Sequence, residues 1–414
     1  MQSNITVLGA GIIGICCALE LQKRGFQVTL IDRRGPGEET SYGNAGVLSY
    51  SNVTPLARPE LITRAHRLLL NRDADLLLHY PHLLKLLPWL GRFALRCRRK
   101  VFLQDGQAMS ALTLPSIELH RQWIAQCKAQ HLLNPPGILK LYRNRQTFIR
   151  DRLERELYDL CGIKYSLLDP DQISEYEPDL HPVFVKAVMI DESLSLRNPG
   201  KLCQAYTDLF LRAGGLLQRA EIHALNWIDH RWELSGNQGR HRTDRLVVCL
   251  GAWTADIIGQ LGYRNPLAIE RGYHTVFAPM ADKKLSRPIF DVDASYVMAP
   301  METGLRVTTG SNLVYGEAEE NPSQIARVSP GVHQAFPVDR VILHKPWMGR
   351  RPTVPDTLPL IGPAPAHENL WLAYAHSHMG LTLGPITARL IANFVTGDKQ
   401  PMAVTAYAPQ RYLG

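Results

Sequence analysis

Apolar residues follow two spacings along this chain, and the spacing changes at glycines and prolines. Residues 4–8 form a short apolar run ended by glycine, which predicts a buried strand. Residues 12–24 carry apolar side chains at helical intervals, with Ile12, Ile15 and Leu19 on one face and Gly25 as the stop. Residues 27–31 predict a second strand, so the chain opens as a βαβ unit. Residues 58–133 are Leu-rich with helical period, and Pro81, Pro88 and Pro115 are expected to break them. Residues 135–192 are mixed and punctuated by proline. Residues 202–213 predict a helix ended by Gly214 and Gly215. Residues 220–225, 231–234 and 245–249 predict strands. Residues 267–278, 295–300 and 305–310 alternate as strands, with Gly304 turning the last two into a hairpin. Residues 370–375 predict a strand and 385–395 a helix closed by Gly397. Both ends thus read as parts of a dinucleotide-binding fold, with sheet-rich material between them and no internal repeat.

Composition narrows this reading. A chain of 414 residues is expected to form two domains, and 45% hydrophobic with 20% charged residues excludes global disorder. The seven cysteines are odd in number and scattered, with no Cys-x-x-Cys, which argues against a disulfide framework or zinc ribbon and fits a reducing compartment. Gly9, Gly11 and Gly14 interrupt the first apolar run, so no signal peptide is read there. No stretch of about 18 apolar residues occurs, so no spanning helix is expected. The net charge of +8 is concentrated: residues 58–100 hold ten basic and three acidic side chains. A nucleic-acid surface would spread it differently, and no nucleic-acid partner is expected.

Four motifs carry chemistry. The first, Gly9-Ala10-Gly11-Ile12-Ile13-Gly14, follows a strand and opens a helix. Gly9 permits the tight turn, Gly11 lets a pyrophosphate approach the backbone, and Gly14 lets helix and strand pack closely. Asp32 ends the second strand, where a carboxylate accepts from ribose hydroxyls. Arg33 and Arg34 follow it and are read as solvated charges rather than a 2′-phosphate site; the motif does not separate NAD from FAD. The second is the small, polar loop Thr40-Ser41-Tyr42-Gly43-Asn44-Ala45-Gly46, whose amides can approach a flat ring. The third is Val247-Val248-Cys249-Leu250-Gly251-Ala252, a strand running into a turn beside a cofactor, with residues 220–225 offering main chain to an adenine edge. The fourth joins Gly349-Arg350-Arg351-Pro352 to Ala375-His376-Ser377-His378-Met379-Gly380-Leu381-Thr382 and a helix. An arginine fork binds a carboxylate through two parallel bonds, and a helix start aims N–H groups at developing negative charge. His376 and His378 are read as loop histidines, so no metal is expected.

With these blocks in this order, the chain resembles the FAD-dependent D-amino-acid oxidase superfamily, most of all the D-amino-acid dehydrogenase small-subunit type. The resemblance covers essentially the whole chain and is strongest at residues 4–50, 245–254 and 346–397. It implies an α/β (α+β) fold: a glutathione-reductase-type FAD-binding Rossmann domain interleaved with an antiparallel-sheet substrate domain. The FAD-binding domain is expected at 1–57, 193–265 and 345–414, and the substrate domain at 58–192 and 266–344. It implies non-covalent FAD, with Gly9, Gly11, Gly14, Asp32 and the adjoining Arg33 at the ADP part. Ser41, Asn44 and Gly46 are placed by the flavin, Ile222 by the adenine, Gly251 alongside the cofactor, and Gly380, Leu381 and Thr382 at the ring carbonyls. Arg351 matches the family's carboxylate binder, and Tyr296 lies in a strand that can offer a hydroxyl to the substrate. Two departures stand out. Ala375-His376-Ser377-His378 replaces the common Gly-His-Gly-Thr, and Ser311-Asn312 replaces an acidic-aromatic pair. His378 and Asn312 therefore bear on the substrate range.

The activity so implied is oxidation of a D-amino acid, with D-proline or hydroxy-D-proline as a special case. A hydride passes from Cα to flavin N5, giving an imine and then a 2-oxo acid. Electrons are expected to leave to a quinone or other carrier rather than to O2. The basic, Leu-rich block at 58–100 admits peripheral contact with anionic lipid, though a solvated helical layer is the plainer reading. The expected location is cytoplasmic, or peripheral on the inner face of the cell membrane. Two other readings stay open: a glycine or sarcosine oxidase-like flavoprotein, and a non-catalytic dinucleotide-binding regulatory protein.

Overall fold

In the computed structural model, which describes residues 4–73 and 75–413, two sheets divide the chain. The first has six strands in the order Leu360–Pro363, Leu370–Tyr374, Arg245–Val248, Asn4–Leu8, Gln27–Asp32 and Leu216–Arg219. Every pair is parallel except the antiparallel edge formed by Leu360–Pro363. The two ends of the chain therefore meet side by side in one sheet, as the dinucleotide-fold reading requires. Helices Ile12–Lys23, Pro199–Arg212 and Gly380–Thr396 contribute to one core with this sheet. The other core is closed by a three-stranded antiparallel sheet, Ile222–Ile228, Arg231–Gly236 and Gly239–Thr243, through Leu225, Trp232 and Leu234.

The second sheet has eleven strands and is mostly antiparallel. Its centre is the long strand Ala268–Pro279, which pairs with Ser311–Val314, Gly304–Thr309 and Trp347–Thr353. Trp347–Thr353 lies beyond the boundary expected at residue 345, yet it pairs with the substrate-side sheet. Gly304, at φ +128°, turns Tyr296–Met301 into Gly304–Thr309 as expected.

Pro88, Pro115 and Pro385 do not mark helix ends. Pro88 lies inside helix Leu83–Arg96, Pro115 inside Arg99–Gln126 and Pro385 inside Gly380–Thr396, which starts five residues before the expected boundary. A proline within a helix costs the bond to the carbonyl four residues earlier. At Pro88 that carbonyl belongs to Leu84, which is 82% exposed, so water can serve it. At Pro385 it belongs to buried Leu381, and the long helix behind it supplies the missing donor: His120 Nε2 lies 2.9 Å from the Leu381 carbonyl. A carbonyl only accepts, so Nε2 carries the proton and Nδ1 accepts from the Tyr206 hydroxyl at 2.9 Å. Ser116 Oγ likewise donates to the Thr382 carbonyl at 2.7 Å. Tertiary hydrogen bonds thus let the last helix begin at Gly380 and place its first turn against the site.

Candidate active site

The nucleotide end forms around the first strand and helix. Gly9 has φ +107°, and a Cβ there would stand 2.5 Å from the Cys249 carbonyl oxygen. A Cβ on Gly14 would overlap the carbonyl of Gly9, whereas one on Gly11 would meet only Ser41 Oγ, at 3.5 Å. Gly9 and Gly14 therefore serve close packing, and Gly11 keeps open the approach to the helix N-terminus. The Ile12 N–H donates to Ser41 Oγ at 3.0 Å, which ties the second motif to the first. Asp32 accepts from the backbone N–H of Ala10 at 2.6 Å and of Arg34 at 2.8 Å. Burial raises its pKa and the two N–H bonds oppose that rise. Arg33 pairs with Glu39 at 2.8 Å and lies over the Trp253 ring, so its charge is already answered. Ile222, Gly251 and Trp253 line the same end of the cavity.

The middle of the cavity is a clamped loop. Arg306 Nη1 donates to the carbonyls of Tyr42 and Asn44, at 3.0 and 2.7 Å. Asn44 Oδ1 accepts from the Gly46 N–H at 2.8 Å, and Gly46 has φ +72°. A Cβ on Gly43 would overlap the Trp347 ring, which stacks on His274 with centroids 4.9 Å apart. Gly380 and Leu381 line the cavity opposite this loop as the first turn of their helix. Thr382 stands behind them: it is buried, its hydroxyl donates to the Val47 carbonyl and accepts from Asn52.

At the far end stands Arg351, directly across the ladder from Glu270. Among the described residues no carboxylate lies within ion-pairing distance of it, and its one hydrogen bond is long, 3.4 Å from Nη1 to Ser311 Oγ. Its guanidinium lies flat over Gly272, where a Cβ would overlap it. Burial pulls its pKa down and Glu270 pulls it back up. His378 lines the same wall, and its pKa is pushed down to about 4, first by burial and then by Arg351 and Arg58. It is therefore a neutral imidazole at neutral pH.

Tyr296 and Asn312 make contacts that the sequence did not foretell. Tyr296 packs with Met298 in the core of the second sheet, and its hydroxyl donates to the Gly331 carbonyl at 3.2 Å. Tyr296 still contributes to the cavity wall, but this hydroxyl is already engaged by a main-chain carbonyl. Asn312 pairs with Arg271 and is absent from the cavity wall, which its neighbours Ser311 and Leu313 line. Sequence reasoning missed Glu270, Gly272, Arg306, Ser311, Ser377 and Trp347. The Glu270-Arg271-Gly272 triplet inside a strand buried throughout the site was the available signal. Also unforeseen is a quartet in which Arg58 and Lys140 both pair with Asp151 and Glu154; all but Glu154 line the cavity.

One cavity of about 1300 Å³ joins the Asp32 end to Arg351. Its glycine-opened helix N-terminus, the half-buried Asp32 carboxylate and the clamped loop fit an adenine dinucleotide with a flat ring. The fold and site together define a dinucleotide-dependent enzyme whose cavity also reaches the Arg351 guanidinium.

Residues 4–394 match the family model described as DAO, FAD dependent oxidoreductase. The chain is 30% identical to the D-amino-acid oxidase of Bradyrhizobium diazoefficiens, with 99% of each chain covered. It is 28% identical to the D-amino acid dehydrogenase of Neisseria gonorrhoeae, again over 99% of each. Among solved structures it is similar to glycine oxidase from Geobacillus kaustophilus, with a TM-score of 0.77, 17% identity and full coverage of both chains; this likeness shows the fold. The protein belongs to the DAO family of FAD-dependent oxidoreductases, which sets aside the non-catalytic reading.

Proposed function

We propose that this enzyme oxidises a D-amino acid at Cα, with D-proline and hydroxy-D-proline among the substrates its site admits. The observation that carries this reading is Arg351: a half-buried guanidinium without an ion-pair partner among the described residues, set over a glycine and open to the cavity. Such a group binds a carboxylate through two parallel charge-assisted bonds. FAD, when bound, supplies the acceptor for a hydride from Cα. Arg351 fixes one end of the substrate and thereby the direction of the Cα–H bond.

His378 serves the other end. Ser377 Oγ donates its one proton to Glu270 at 3.1 Å, so at 3.3 Å it accepts from His378 Nδ1–H. That leaves Nε2 with a lone pair and no partner among the described residues, ready to accept from the substrate amine. The Gly380–Leu381 turn presents N–H groups toward negative charge. The D configuration rests on the likeness to the D-amino-acid oxidase and the D-amino acid dehydrogenase, and the use of a carrier on the likeness to the dehydrogenase alone. An anaerobic screen of D- and L-amino acids, glycine and N-methylglycine for loss of flavin colour tests the reading. Colour loss with N-methylglycine alone selects the sarcosine oxidase-like alternative.

Electron transfer to a quinone at a membrane surface is the second part of the proposal. Among the described residues no helix is long and apolar enough to cross a membrane. Leu84, Leu87 and Leu95 on helix Leu83–Arg96 are exposed, as are Leu69 and Leu70 nearby in sequence. They lie within the basic block at 58–100, a combination that suits an anionic lipid surface on the cytoplasmic face.

A further inference from the structure

Among the described residues, Glu270 is the acidic side chain that two serine hydroxyls connect to both ends of the proposed substrate site, and the reaction as proposed gives it no part. It is 4% exposed, lines the cavity, and lies directly across the ladder from Arg351. No cation stands within ion-pairing distance of it among the described residues. Two hydroxyls hold it instead: Ser311 Oγ donates to Oε2 at 2.8 Å and Ser377 Oγ to Oε1 at 3.1 Å. Each hydroxyl has a single proton, so each must accept from its other neighbour. Ser311 accepts from Arg351 and Ser377 accepts from His378. Two directed chains thus converge on one carboxylate, from the anchor on one side and from the imidazole on the other.

Ser377 has φ +49° and Ala375 φ +62°, left-handed conformations that favour glycine. Side chains persist here at a cost in backbone strain. At Ser377 the side chain is the link that holds Glu270.

We propose that Glu270, acting through Ser311 and Ser377, makes the site select carboxylates that carry an amine over carboxylates that do not. This rests on the amino-acid reading above. The reason is electrostatic and directional. Arg351 and Glu270 are opposite charges held apart by a serine rather than joined, which complements a zwitterion. An amine-free acid satisfies Arg351 but brings a second negative charge beside Glu270. Glu270 also fixes the proton of His378 on Nδ1, so that Nε2 meets the amine as an acceptor.

The test measures binding to the FAD-loaded protein. D-proline is compared with cyclopentanecarboxylate, and D-alanine with propanoate. Dissociation constants come from perturbation of the flavin spectrum for the acids and from anaerobic rapid mixing for the amino acids. Removing one charge at this range changes the preference roughly tenfold or more. Glu270→Gln is expected to lower the amine preference by that factor, with the amine-free acids binding tighter and the amino acids weaker. Glu270→Asp keeps the charge and is expected to keep most of the preference. An unchanged ratio in Glu270→Gln, or an equal loss in both variants, overturns the proposal. If neither variant holds FAD, a wild-type preference below about threefold for either pair overturns it, and a preference of tenfold or more supports it. Failure of both D-amino acids to bleach the wild-type flavin is a separate outcome, because it removes the amino-acid reading itself while the acids still report on Glu270.

Discussion

Gly272→Ala should disable substrate binding while leaving the protein folded. A Cβ at that position would overlap Cζ and Nη2 of Arg351 and stand 2.7 Å from Nη1. The obstructed atoms are the far end of a flexible side chain held by one long bond to Ser311, so the guanidinium swings aside and the backbone stays. Stability should change by less than about 1 kcal/mol, since alanine in a strand also restricts the unfolded chain. The displaced fork loses two charge-assisted bonds to the substrate carboxylate, a loss of about 3 kcal/mol. That corresponds to a rise of roughly 100-fold in the half-saturating amino-acid concentration. Anaerobic flavin reduction against substrate concentration, with a thermal melt of the same sample, measures both quantities. A double variant with Arg351→Ala closes the cycle: Gly272 acts only through Arg351, so the double variant should be no worse than Arg351→Ala alone. Unchanged half-saturation in Gly272→Ala, or a further loss in the double variant, would refute this reasoning.

His120→Phe keeps the ring but strands the Leu381 carbonyl and the Tyr206 hydroxyl, so unfolding should become easier by about 2–5 kcal/mol. A denaturant midpoint that hardly moves would show the last helix needs no such donor. Burial is the first cause that lowers the pKa values of His120 and His378 to about 4 and of His274 and His376 to about 3. Each stays neutral in the folded state while its unfolded counterpart takes up a proton below about pH 6.5. Their contribution to stability is therefore full above about pH 6.5 and is lost as the pH falls toward 3–4. The slope approaches about 1.4 kcal/mol per pH unit for each residue. Melting temperatures flat between pH 6.5 and pH 4.5 would contradict the buried neutral assignment. Finally, the protein should sediment with anionic liposomes at low salt and be released at high salt; no sedimentation at low salt removes the membrane reading.

Local signals exposed much of this molecule, and tertiary contacts hid the rest. The strand–turn–helix of residues 4–23 was legible because glycine spacing, apolar period and Asp32 agree. The expectation for Pro385 failed because a local rule assigns proline to a boundary, whereas His120, 265 residues earlier in sequence, supplies the missing donor. The short strands Leu216–Arg219 and Gly239–Thr243 escaped notice because both are largely exposed edges without an alternating pattern. At the site, Arg351 was legible from its proline neighbour and the family pattern. Glu270, Ser311 and Ser377 were not, since their meaning arises only when three distant segments bring their side chains within hydrogen-bonding distance. Tyr296 shows the converse: the strand was read correctly, but only the folded packing reveals that its hydroxyl is held by the Gly331 carbonyl.

The central claim is that a carboxylate held on Arg351 is what presents Cα to the bound flavin. Anaerobic titration of FAD-loaded wild type and Arg351→Ala with D-proline tests it most directly. The wild type should lose its visible flavin band at substrate levels that leave the variant coloured, with both proteins retaining FAD. Equal reduction of the two proteins across the titration would contradict the claim.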